Sequence, residues 1–137
     1  MITVILVSHG KMVEGILQSM EMLIGEQENV LAVTFEPGDG PDDLTEKVKK
    51  VLLPALEQGE VIVMTDIPNG TPFNCVSRLL EHLKFQHLTG MNLPMVIDVV
   101  SQKDDVGAEE LCNDTISVSR EAIINVNAWM KELGIIE

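Results

Sequence analysis

Apolar residues along this chain follow two rhythms that alternate from the first residue onward. Ile2, Thr3, Val4, Ile5, Leu6 and Val7 form a short β-branched run with the character of a buried strand. From Lys11 to Gly25 the spacing changes: Val13, Ile16, Leu17, Met20, Leu23 and Ile24 recur at steps of three and four, which predicts an amphipathic helix ended by glycine. Val30 to Phe35 is a second short run, and Pro37-Gly38-Asp39-Gly40 ends it with loop chemistry. Pro41 opens a second helix with Asp42 and Asp43 in its first turn, a stripe of Leu44, Val48, Val51, Leu52, Ala55 and Leu56, and Gly59 to close it. Val61 to Met64 is apolar throughout and reads as a central strand running out to Asp66. Ile67 to Pro72 is a tight loop, after which Phe73, Val76, Leu79, Leu80 and Leu83 trace a third helix with Thr71 as its N-cap.

Beyond Lys84, periodicity admits two assignments. Met95 to Val100 is a fourth strand, or Pro94 opens a helix there and the strand lies near Phe85 to Thr89. Lys103-Asp104-Asp105 breaks the pattern. Val106 to Ala122 then reads as a polar helix with Leu111, Thr115, Val118 and Ala122 inward, and Ile123 to Val126 as a short edge strand. Three successive alternations of strand and helix predict an α/β fold, doubly wound, with a mainly parallel central sheet and helices on both faces. Nothing repeats internally, and residues 1–137 read as a single domain.

Composition narrows the partners. Acidic residues number 22 against 9 basic, a formal charge of -13, so nucleic acid and anionic membrane surfaces are repelled and a basic protein partner is drawn in. Cys75 and Cys112 fit neither a metal-ligand nor a redox spacing, as expected of a reduced, intracellular chain. The first apolar run is far shorter than the roughly 20 residues that span a bilayer, and no charged segment precedes it. A soluble, cytoplasmic protein is expected.

Two polar residues end apolar strands on what should be one rim: His9 after the first and Asp66 after the third. Open α/β sheets bind ligands at the carboxyl ends of their strands. A carboxylate that accepts the Nδ1–H of an imidazole fixes one tautomer and leaves the Nε2 lone pair free, as a histidine nucleophile requires. Gly10 removes a side chain beside that imidazole. Gly70 and Thr71 precede a helix, so their backbone N–H groups and the Thr71 hydroxyl can hold a dianionic phosphoryl group without a cationic side chain. No G-x-x-x-x-G-K-[ST] loop and no G-x-G-x-x-G fingerprint is present, which argues against a nucleotide site, and no cofactor is implied. Ser8 lacks a G-x-S-x-G elbow, and His82 and His87 fall in or just after a helix, away from the rim, so no metal site is expected. These residues describe a protein that receives a phosphoryl group and passes it on.

The opening strand with Ser8-His9-Gly10, Asp66 with Asn69-Gly70-Thr71-Pro72-Phe73-Asn74, and Gly90-Met91-Asn92-Leu93-Pro94-Met95 together resemble the enzyme IIA domain of the mannose-class sugar phosphotransferase system (PTS). The resemblance implies that His9 takes a phosphoryl group on Nε2 from the phosphocarrier protein HPr and hands it to a histidine of a cognate enzyme IIB. It maps the family's aspartate onto Asp66 and its anion-binding backbone onto Gly70 and Thr71. Some relatives carry serine where Thr71 stands, which keeps the hydroxyl without the methyl. The resemblance also makes Gly90 to Met95 a rim loop, with the fourth strand before it and a helix from about Pro94. It implies a homodimer that exchanges a C-terminal antiparallel edge strand, here Ile123 to Val126. The IIB partner is expected to be a separate chain, through which alone the membrane permease is reached.

The phosphotransfer subunit of phosphoenolpyruvate-dependent dihydroxyacetone kinases also begins with a strand and Ser-His, and it ranks second because the Gly-Thr-Pro-Phe-Asn loop fits the sugar systems better. A receiver-like domain phosphorylated on Asp66 would need further acidic residues where Ser8-His9 stands. A tetrapyrrole metal chelatase would want a second histidine or glutamate on the rim.

Overall fold

A computed structural model describes residues 1–137. Strand β1 (Ile2–His9) leads through helix α1 (Met12–Ile24) to β2 (Val30–Phe35), and α2 (Pro41–Gln58) leads to β3 (Glu60–Thr65). Then follow α3 (Thr71–Leu79), β4 (Gln86–Leu88), α4 (Leu93–Gln102), α5 (Ala108–Glu121) and α6 (Val126–Glu132). The strands lie in the order β2-β1-β3-β4, all parallel, so the two most apolar runs are central.

Strand alternation divides the core in two. Ile2, Val4, Leu6, Ile62 and Met64 pack with α1, α4 and α5 on one face. Ile5, Val7, Val33, Val61 and Val63 pack with α2 and α3 on the other. Helices thus cover both faces of the sheet, as the doubly wound pattern predicts. No helix is long and apolar enough to cross a membrane.

One open assignment is decided, as the resemblance implies, and two expectations change. Between the two assignments for residues 85–100 the structure takes the second: β4 falls within Phe85 to Thr89, and Met95, Val96, Val99 and Val100 are the buried stripe of α4. The Asn92 side chain accepts the Met95 N–H at 2.8 Å and starts that helix. In α5, Leu111 and Thr115 point inward, whereas Val118 is exposed and Ala122 follows the helix end. Ser119 takes the buried place, four residues after Thr115, and its hydroxyl donates to the Thr115 carbonyl at 2.7 Å. The second change is at the C-terminus. Ile123 to Val126 forms no antiparallel edge strand: Asn125 accepts the Ala128 N–H at 3.2 Å and caps α6. A β-branched triplet without a partner strand has no ladder to join, and the local capping signal prevails.

Candidate functional site

His9 is the last residue of β1 and Asp66 the first after β3, and these strands are neighbours in register, Val7 against Thr65. The two side chains therefore meet. His9 Nδ1 lies 2.7 Å from Asp66 Oδ2, which also accepts the His9 backbone N–H at 2.8 Å. The second oxygen, Oδ1, accepts the Ile67 N–H at 2.9 Å. Burial alone would raise the Asp66 pKa, but hydrogen bonds from the His9 backbone, the His9 ring and the Ile67 backbone outweigh it and hold the carboxyl below its ordinary value. An ionised carboxylate has no proton to give, so Nδ1 is the donor and the neutral ring keeps its lone pair on Nε2. The imidazole remains 47% exposed while the carboxylate is 8% exposed.

Parity along β1 separates the last two residues. His9, odd-numbered like Ile5 and Val7, projects on the α2–α3 face, and Ser8 projects toward α1. The buried Ser8 hydroxyl accepts the Val13 N–H at 3.2 Å and donates to the Gly10 carbonyl at 3.2 Å, tying the strand end to the first turn of α1. Gly10 holds φ at +57°, and a Cβ there would meet nothing within 4 Å. Its role is backbone conformation rather than clearance. Clearance is the property of Gly70, where a Cβ would lie 3.0 Å from His9 Cε1 and 3.3 Å from Ile67 Cγ1.

Gly70, not Thr71, is the N-cap of α3; Thr71 is the first helical residue and makes no side-chain cap. The reason is the loop before it, where Asn69 takes φ of +66° and turns the chain one residue early. Gly70, Thr71 and Phe73 N–H groups donate to no acceptor within the chain, so the end of α3 beside the ring carries free donors. No group of three or more histidine, cysteine or acidic side chains is placed to hold a metal ion. The two larger concavities, about 470 and 430 Å³, lie at the opposite end of the sheet around Glu60. His9 lines neither of them, and its ring is exposed at the rim.

Sequence reading did not single out Phe35, which ends β2 opposite His9 and meets its ring edge-on, centroids 5.8 Å apart at 72°. The rule that strand-end residues line the rim would have found it. His87 was placed away from the rim, yet it stands in β4 with its Nε2 2.8 Å from the hydroxyl of Thr65, the residue before Asp66.

Residues 3–116 match the family model EIIA-man, described as the PTS system fructose IIA component. The chain belongs to the EIIA-man family. The family match takes in β1 through most of α5, with His9, Asp66, Gly70 and Thr71, and leaves α6 outside. Over 123 residues the chain is 32% identical to the PTS system fructose-specific EIIA component of Bacillus subtilis (strain 168), covering 89% of this chain and 84% of that protein. It is 32% identical over 126 residues to the mannose-specific EIIAB component of Escherichia coli (strain K12), covering 89% of this chain but 38% of that longer protein. Among solved structures, the phosphotransferase system component EIIA from Streptococcus agalactiae superposes with a TM-score of 0.86 at 32% identity, over 93% of this chain and 99% of that one.

Proposed function

We propose that this chain is the phosphoryl carrier of a sugar phosphotransferase system, with His9 as the residue that is phosphorylated. The observation that carries the reading is the divided imidazole: Nδ1 bound to Asp66 at 2.7 Å, and Nε2 without a partner in a ring that is 47% exposed. The Nε2 lone pair attacks the phosphorus of a phosphohistidine on HPr. As the new N–P bond forms, the old one breaks and its electron pair returns to the donor ring. Asp66 stabilises the positive charge that develops on His9 during attack and keeps Nδ1 protonated. Free N–H groups at Gly70 and Thr71, with the Thr71 hydroxyl, receive the phosphoryl oxygens, whereas the Gly10 N–H is already given to the Phe35 carbonyl at 2.8 Å and takes no part. Transfer to a histidine of a cognate IIB repeats the exchange in reverse.

Membership of the family supports a carrier in sugar uptake, and the open rim supports protein partners over a small substrate. A cytoplasmic location follows from HPr as donor. A homodimer is part of the same reading, supported by the apolar surface at the C-terminus, where Ile123, Trp129, Leu133 and Ile135 are exposed.

Incubation with labelled phosphoenolpyruvate, enzyme I and HPr should give one base-stable, acid-labile phosphate per chain, absent in His9→Gln. A label that survives that substitution, or that requires magnesium, would refute the assignment and point to Asp66.

A further inference from the structure

Behind the rim, polar side chains join β4 to both β3 and α3. His87 Nε2 lies 2.8 Å from Thr65 Oγ1, Thr65 Oγ1 donates to Thr89 Oγ1 at 2.9 Å, and Ser77 Oγ lies 3.3 Å from His87 Nδ1. The Phe73 ring covers the imidazole, centroids 5.3 Å apart and tilted by 45°. Counting protons orients the chain. The single hydroxyl hydrogen of Thr65 goes to Thr89, so Thr65 accepts from His87 and Nε2 carries the hydrogen. Nδ1 then accepts from Ser77. Burial pushes the His87 pKa down to about 4, so the ring is neutral at neutral pH and its one donor and one acceptor are both used.

These groups lie where the two halves of the site are joined. Thr65 is fully buried and is bonded directly to Asp66. Phe73 and Ser77 lie one turn apart on α3, the helix whose N-cap Gly70 abuts the His9 ring. That contact has no slack, since even a methyl group at Gly70 would lie 3.0 Å from Cε1. Any drift of α3 relative to the end of β3 changes the distance between the carboxylate that holds Nδ1 and the free N–H groups beside the ring.

We propose that His87 is a positioning residue for phosphoryl transfer: by bridging Thr65 and Ser77 it fixes α3 against the end of β3, and so the helix terminus against the His9–Asp66 pair. The inference rests on His9 being the phosphoryl acceptor. It assigns His87 no contact with the phosphate.

The test is single-turnover phosphorylation by phospho-HPr of the intact chain and three variants. His87→Leu keeps volume and loses both hydrogen bonds, and its maximal rate should fall about tenfold while the phospho-HPr concentration for half-maximal rate stays within about twofold. His87→Gln, whose amide can still donate to Thr65, should recover to within about threefold of the parent. Ser77→Ala should show a smaller loss, and carries the test if His87→Leu does not fold. In the parent, imidazole 15N shifts should show His87 protonated on Nε2 and bare on Nδ1. A folded His87→Leu with the parental rate, a Gln variant no better than Leu, or the opposite tautomer would each overturn the proposal. His9→Gln, run alongside, must take no label; if it does, the acceptor assignment has failed, whatever the His87 variants do.

Discussion

Asp66 answers three donors with two oxygens, and at the scale of single residues that is where transfer chemistry and acid stability meet. Its folded pKa is depressed, so the stability it contributes is present above the ordinary carboxylate value of 3.8 and lost as the pH falls through the lower folded value. Asp66→Asn removes that term and the charge that fixes the tautomer. It should slow phosphorylation by about a hundredfold or more, as loss of an orienting carboxylate does in hydrolytic triads, while the far-ultraviolet circular dichroism is retained. His87 acts over a different window. The unfolded chain takes up a proton near 6.5 and the folded chain only near 4, so stability should decline between those values as the pH falls. Urea midpoints at pH 7 and pH 5 should differ less in His87→Gln than in the parent. His9 and Asp66 were legible because each is a polar residue at the end of an apolar run. The work of Ser8 was not, since its partner Val13 lies across a turn whose geometry depends on the left-handed Gly10.

At the scale of elements, two glycines do different work on the two helices that flank the imidazole. Gly10→Ala meets open space but must hold positive φ, and should cost about 1–2 kcal/mol of stability by chemical denaturation, with little effect on transfer by the folded protein. Gly70→Ala has ordinary φ and should leave the midpoint nearly unchanged, while displacing the ring edge and slowing phosphorylation about tenfold. The opposite ranking would show that the end of α3 does not set the ring's position. Residues 85–100 illustrate where sequence reading runs out. Met95 to Val100 is apolar enough for a strand, and only Asn92 and Pro94 at its start mark the helix that forms. Placing His87 near the rim needed that ambiguity resolved first. Its structural role is therefore hidden in the sequence.

At the scale of the whole molecule, the C-terminal segment stands apart. None of the residues of α6 is buried, and Trp129, Leu133 and Ile135 present apolar surface to solvent. A chain ending at Ala122 should therefore melt within a few degrees of the parent, because the two cores on either side of the sheet lie entirely before that point. If α6 and the tail mediate self-association, the same truncation should sediment as a monomer where the full chain sediments as a dimer. The expected edge strand drew on β-branched residues and on the resemblance, and whether such residues form a strand depends on a partner that sequence does not show.

The opposed directions of Ser8 and His9 carry one more implication. Pleated backbone repeats every two positions, so deleting any one residue within Thr3–Val7 while keeping the strand in register at its start would exchange the destinations of the two side chains. Serine would then take the buried place of Val7 opposite Thr65, the imidazole would be driven beneath α1, and glycine would stand beside the aspartate. Such a shortened strand could keep most of its apolar cover and still carry nothing, which makes the count of residues in β1 as much a determinant of transfer as their identity.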